Sequence, residues 1–139
     1  MASLIEDLRD QHRNLVVRAD ALRIYLAHGA AEADPAAAHR ALVHFGLLLR
    51  THLDLEDGQF YPKVRNHAEC SVLVAQFEEG MSRLQSTADA YLLGWPDARS
   101  IANNPGGFRD YTGAILRVLE RRIQAEEEEL FPRLSGEGG

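Results

Sequence analysis

An all-α fold, an antiparallel up-and-down four-helix bundle, is what this sequence predicts, and three observations carry the prediction. Apolar residues recur at helical spacing along the whole chain. No segment alternates apolar with polar residues, and no hairpin dipeptide separates two apolar runs. Four amphipathic stretches are joined by mostly short links, which is the pattern of a bundle. With 139 residues and 15.5 kDa, the chain has room for one domain with a sizeable core. We read residues 1–134 as that domain and 135–139 as a flexible tail.

The first helix is capped by Ser3 and turns Leu4, Leu8, His12, Leu15, Ala19, Leu22 and Leu26 to one side, with Gly29 as its stop. Asp34-Pro35 restarts the chain, since Asp at the cap with Pro in the first helical position is a start signal. Leu42, Phe45, Leu49, His52, Glu56 and Phe60 form the inward face of this second helix until Pro62 breaks it. A third helix runs from about Glu69 to Leu93, with Leu73, Phe77, Met81, Leu84, Ala88 and Tyr91 inward, and Gly94-Trp95-Pro96 closes it. Asp97 to Gly107 reads as the longest connection, with room for one short turn. The fourth helix starts at Phe108 and faces Tyr111, Ile115, Leu119, Arg122, Glu126 and Leu130 inward. Trp95 packs under the bundle end or offers an exposed contact.

Composition removes several function classes. The formal charge is −6 with a sequence pI near 5.5, and no Lys/Arg cluster stands out, so the electrostatic footprint of a nucleic-acid binder is missing. No apolar run approaches membrane length. The N-terminus has no basic region ahead of an apolar stretch, so no secretory signal is expected and the cytoplasm is the default location. Cys70 is the single cysteine, which excludes an internal disulfide and a Cys-rich zinc site. Metal chemistry, where it exists, must use histidine and carboxylate.

The chain then writes one phrase twice. His52 to Pro62 reads His-Leu-Asp-Leu-Glu-Asp-Gly-Gln-Phe-Tyr-Pro, and Arg122 to Pro132 reads Arg-Ile-Gln-Ala-Glu-Glu-Glu-Glu-Leu-Phe-Pro. In each, a polar head is followed four residues later by a carboxylate, so both project from one helical face. Two such helices side by side can aim nitrogen and oxygen atoms at a common metal ion. His12 also lies on its helix's apolar face, and Glu78 sits at the edge of the third helix's face whereas Glu79 points away. Each has a plainer reading. His12 alone suits a hydrogen-bonded core histidine, His52 with Glu56 suits a simple hydrogen bond, and Arg122 with Glu126 suits an intrahelical ion pair. Glu127, Glu128 and Glu129 read chiefly as a solvated face, and His28, His39, His44 and His67 as surface residues. Tyr61 and Phe131 plug the bundle end.

Together, Gln11-His12-Arg13-Asn14-Leu15, the His52 to Pro62 segment and the Glu126 to Pro132 ending make the chain resemble the hemerythrin-like, or HHE cation-binding, domain family over nearly its whole length. The resemblance implies an antiparallel four-helix bundle holding non-haem iron and binding or sensing oxygen, nitric oxide or iron, without enzymatic turnover. A carboxylate-bridged oxidase or peroxidase-like activity is a weaker alternative. Carried over by position, His12, His52 and Glu56 match ligands of the family pattern. Glu78 and Arg122 fall where the family has histidines on its third and fourth helices. The fourth-helix carboxylate falls at Glu127 by motif position and at Glu126 by helical geometry, and Glu126 is preferred on physical grounds. No histidine follows His67, so a five-histidine di-iron centre is excluded. Two completions stay open. His12, His52 and Glu56 form a two-histidine, one-carboxylate set suited to Fe(II) and a small gas, with Glu78 and Glu126 completing it or binding a second ion. Alternatively, Arg122 takes the cationic place, clamped by Glu56, Glu78 and Glu126, in a metal-free regulatory or interaction module. One iron, two or none per chain, and pairing with a second copy or another protein, follow from these alternatives.

Overall fold

The computed structural model describes residues 2–135. Within them the chain is helical apart from short links and contains no strand. Helix α1 (Ala2–Arg23) runs into a 3-10 turn over Ile24–Leu26, and α2 (Ala30–Ala33) is a short link to α3 (Pro35–Leu55). A π turn over Glu56–Phe60 joins α3 to α4 (Tyr61–Val64). Helix α5 (Ser71–Gly94) follows, then α6 (Ala98–Asn103) and α7 (Pro105–Ala125). A second π turn over Glu126–Leu130 leads to α8 (Phe131–Ser135). The long helices touch in chain order, α1 on α3, α3 on α5 and α5 on α7, and α7 returns to α1. The expected tail begins at Ser135, which ends α8; residues 136–139 lie outside the described residues.

Local chemistry sets the boundaries. Gly29 sits at φ +82°, the left-handed region that side-chain-bearing residues avoid, and ends the first helical run. Asp34 accepts from Ala37 N at 3.0 Å and Pro35 occupies the first turn of α3. Asn104-Pro105 repeats that device: Asn104 Oδ1 accepts from Gly107 N at 3.1 Å. A Cβ on Gly107 would collide with the capping Asn104 side chain, so glycine suits this turn. The fourth long helix therefore starts at Pro105 rather than Phe108, and the expected long connection holds a whole helix, α6, capped by Asp97. Ser3 lies inside α1 rather than capping it.

Two expected inward residues are displaced by one position. Val74 is buried where Leu73 is only half-buried, and Tyr111 is 65% exposed while its neighbour Thr112 is fully buried. Thr112 and Tyr91 share a 2.6 Å hydrogen bond, which satisfies both hydroxyls inside the core. Trp95 is buried and meets Phe108 edge-on, ring centroids 5.6 Å apart. The core is a stack of Leu8, Leu15, Leu22, Phe45, Leu49 and Met81, all fully buried. Each such side chain contributes roughly 1.5–3 kcal/mol by leaving water.

Pro62 and Pro132 do not end their helices. Proline has no N–H, so the carbonyl four residues earlier loses its partner and the ring crowds that turn. The chain answers with the wider π turn, in which Tyr61 N donates to Glu56 O and Phe131 N donates to Glu126 O, each five residues back. Helical direction survives for another turn. Phe60 with Tyr61, and Leu130 with Phe131, are all buried.

Candidate metal centre

Five polar or charged residues are buried among the described residues, and four of them stand together: His12, His52, Glu56 and Glu126, none more than 2% exposed. α1 presents His12 and α3 presents His52 one turn before Glu56. Glu56 and Glu126 each open a π turn and occupy equivalent places on their two helices. One nitrogen from each of His12 and His52 and one oxygen from Glu126 lie within 4.8 Å of one another. The imidazole rings are tilted by 59° with centroids 4.7 Å apart.

The hydrogen bonds around the two rings orient them. His52 Nδ1 donates to Gln11 Oε1 at 2.8 Å. Its Nε2 therefore presents a lone pair toward Glu56 Oε1 at 3.5 Å and Glu126 Oε1 at 3.9 Å. Burial, opposed by the Glu126 charge and helped by His12 and Arg122, lowers the His52 pKa to about 4, so the ring is neutral near pH 7. His12 meets an acceptor at each nitrogen, Glu127 Oε1 at Nδ1 and Glu126 Oε1 at Nε2, both 3.1 Å away. Such a ring needs a proton or another cation on each side. Arg9 Nε donates to the other Glu127 oxygen at 3.1 Å, and Phe131 stacks on His12 with centroids 5.7 Å apart.

Arg122 fills the opposite side. Its Nη1 donates to the Phe77 carbonyl at 2.7 Å, and its Nη2 donates to Tyr61 Oη at 2.6 Å and to Glu126 Oε2 at 3.2 Å. Tyr61 in turn donates to Glu126 Oε2 at 3.0 Å. The guanidinium lies over the Phe77 and Tyr61 rings at 5.3 and 5.8 Å. Glu56 Oε1 is 4.0 Å from Nη2, beyond a hydrogen bond.

Glu56 is the unsatisfied carboxylate of the site, where Arg122 Nε is likewise buried without an acceptor. As a carboxylate, neither of its buried oxygens has a donor. Burial first, then the Glu126 charge and a hydrogen bond shared with Glu126, push its pKa well up, against the pull of Arg122. As a neutral acid it can donate to Glu126 and so resolve the missing bond. Glu126, despite full burial, is held well below the usual carboxylate range by Glu56, His12 and Arg122. A buried carboxyl without a donor, a neutral imidazole with its lone pair facing two carboxylate oxygens, and an imidazole between two acceptors all suit a cation. The donor set fits a divalent metal, and a two-histidine, carboxylate set is one that Fe(II) accepts.

Of the residues expected at the site, the structure brings His12, His52, Glu56 and Glu126 together. Glu127 stands at the rim and reaches the outer nitrogen of His12. Glu78 does not join them. It is one position past the inward Phe77, so it turns to the flank of α5 and pairs with Arg65 through two 3.0 Å contacts and one shorter contact from Nη2. Because α4 continues past Pro62, Arg65 reaches this flank; its hydrogen bond holds the Glu78 pKa down. The expected clamp on Arg122 is thus Glu126, Tyr61 and a backbone carbonyl, without Glu78. Tyr61 is core, as expected, and is also a hydrogen-bonding member of the site that the sequence reading missed. Gln11 was missed in its role too, and its place immediately before His12 was the available signal.

No helix among the described residues is long and apolar enough to cross a membrane. No curated protein and no solved structure matches the chain. Residues 3–134, nearly the whole sequence, match the family described as Hemerythrin HHE cation binding domain. The chain belongs to that family, the hemerythrin HHE cation-binding domains.

Proposed function

We propose that this protein is a non-enzymatic, hemerythrin-like binder of non-haem iron that holds or senses iron, oxygen or nitric oxide. One observation carries the reading: His12, His52 and Glu126 converge within 4.8 Å beside Glu56, whose buried oxygens lack any donor. His12 and His52 would supply Nε2 and Glu126 its Oε1, with Glu56 as a further oxygen donor. When bound, iron supplies an electron-rich centre for a small diatomic ligand. The protein's own contribution is orientation and exclusion of water. Gln11 and Glu127 hold the outer ring nitrogens, an arrangement that fixes the tautomer of metal-ligating histidines. Phe60, Tyr61 and Phe131 wall the site with fully buried rings, so only a small species reaches it. The scaffold we assign to this function is a single antiparallel up-and-down bundle of residues 1–134.

Anaerobic reconstitution with Fe(II), followed by elemental analysis of protein purified without a metal-affinity column, tests the proposal. Bound iron that is lost in His52→Ala supports it; equal iron in parent and variant removes His52 from the site. Arg122 favours a second reading, a metal-free module, because its guanidinium already neutralises Glu126. That reading expects no iron in any sample and unchanged stability in chelator.

A further inference from the structure

Arg122 and the two histidines lie on opposite sides of one carboxylate. Glu126 directs Oε1 at His12 Nε2 and Oε2 at Arg122 Nη2 and the Tyr61 hydroxyl. From the geometry we infer that Arg122 is a built-in second cation of this centre, so that the site accepts one divalent ion on the His12–His52 side and refuses another beside Arg122. The inference rests on the proposed metal site and adds its stoichiometry.

Three features support it. First, the guanidinium is anchored independently of the carboxylates: Nη1 donates to the Phe77 carbonyl of α5, and both ring faces near it are aromatic. It is not free to swing away and make room. The backbone crowds it as well, since a Cβ on Gly80 would lie 3.0 Å from Nη1. Second, arginine stays protonated under all folding conditions, and its Nη2 sits 3.2 Å from Glu126 Oε2. A divalent ion bound through Glu126 Oε2 would face this fixed charge at close range in a buried site, where screening is weak. Third, the His12–His52 side offers imidazoles where the other side has a guanidinium, and its arginine, Arg9, is bonded to Glu127 at the rim. The imidazole nitrogens face carboxylate oxygens, and Glu56 Oε1 lies between the two sides, 3.5 Å from His52 Nε2 and 4.0 Å from Arg122 Nη2. One mobile and one permanent cation thus divide two carboxylates.

The test is the number of ions per chain in the full-length protein, reconstituted with Fe(II) without oxygen and freed of excess metal, with thermal midpoints recorded with and without chelator. The parent should hold one ion, lost in His52→Ala. Arg122→Lys, which keeps the charge, should also hold one, whereas Arg122→His should rise toward two. The midpoint of Arg122→His should gain more from added Fe(II) than the parent's does. Two ions in the parent, two in Arg122→Lys, or one in a folded Arg122→His would overturn the inference while leaving the metal site intact. No ion in any protein would overturn the metal site and this inference with it. Should Arg122→His fail to fold, the parent and Arg122→Lys counts decide.

Discussion

Replacing Arg122 with methionine isolates the guanidinium, because the methionine stem still packs on Phe77 and Tyr61 while every charged contact disappears. The arginine side chain is 10% exposed and makes three hydrogen bonds, to Phe77 O, Tyr61 Oη and Glu126 Oε2. Glu126 is fully buried, so losing its cationic partner leaves a charge that water cannot reach. Removing one partner of such a buried pair destabilises by about 3–5 kcal/mol. Domain stability is roughly 5–15 kcal/mol, so the variant should lose a large share of it. Urea unfolding of chelator-treated protein, followed by far-UV circular dichroism, measures the loss without any contribution from bound metal. A loss below about 1 kcal/mol would refute the reasoning, since that is the scale of an exposed ion pair; the guanidinium would then reside in solvent.

Tyr61→Phe removes a hydroxyl that donates to Glu126 and accepts from Arg122, and should reduce metal-free stability by about 1–3 kcal/mol in the same urea assay; a neutral result would mean that neither bond forms in solution. His52 has a folded-state pKa near 4 against an ordinary 6.5, so its contribution is complete above about pH 6.5 and is lost as pH falls through 4. The full difference is about 3 kcal/mol, and the acid-side slope of metal-free stability should flatten in His52→Gln; identical slopes would show that the ring is not buried and neutral. Glu56 behaves oppositely, its raised pKa stabilising at low pH and costing stability as pH rises above about 4.5. Glu56→Gln should therefore match or exceed the parent in metal-free stability near pH 7 and bind less iron, and a marked loss of metal-free stability would show that Glu56 is ionised. Gly80→Ala should fail to deliver the roughly 1 kcal/mol that helix propensity offers, because the new methyl presses on Arg122 Nη1; a full gain would mean that the guanidinium moves freely.

Much of the architecture was legible because burial follows the 3.6-residue period: Leu8, His12, Leu15, Leu49, His52 and Met81 all point where their spacing says. Boundaries were less legible. Asp34-Pro35 was readable as a start, and Asn104-Pro105 carries the same chemistry, yet Gly106-Gly107 obscured it by suggesting a loop. Glycine at 107 serves the cap rather than breaking the helix. Pro62 misled in the opposite direction, since a missing N–H predicts a stop and a single widened turn is enough to pass it. Glu78 lies apart from the cluster because a position at the edge of a helical face is decided by what lies across from it, and Arg65 comes within reach because α4 continues past Pro62. Tyr61 and Gln11 escaped notice as hydrogen-bonding members because their partners lie far away in sequence, at Glu126 and His52.

The duplicated phrase explains why one substitution has such leverage. In both copies the carboxylate opens a π turn, its carbonyl takes the amide five residues on, and an aromatic pair or Leu-Phe pair is packed directly behind it. Glu56 and Glu126 are therefore held by the same local machinery, and one turn earlier each helix offers its head group to the same buried space. With histidine in that place, as at residue 52, the head brings a lone pair and no charge near neutral pH. With arginine, as at residue 122, it brings five donors, no lone pair and a permanent positive charge. The backbone turn is the same in both copies, while Arg122 is 10% exposed where His52 is buried; under the proposed metal site the exchange converts a donor to metal into a substitute for metal. Glu126 makes the consequence visible: one oxygen faces imidazole and the other guanidinium, with Tyr61 bonded to the second oxygen as well. In the proposed site, the number of cations is thus set by the Arg122 guanidinium on the far oxygen of Glu126.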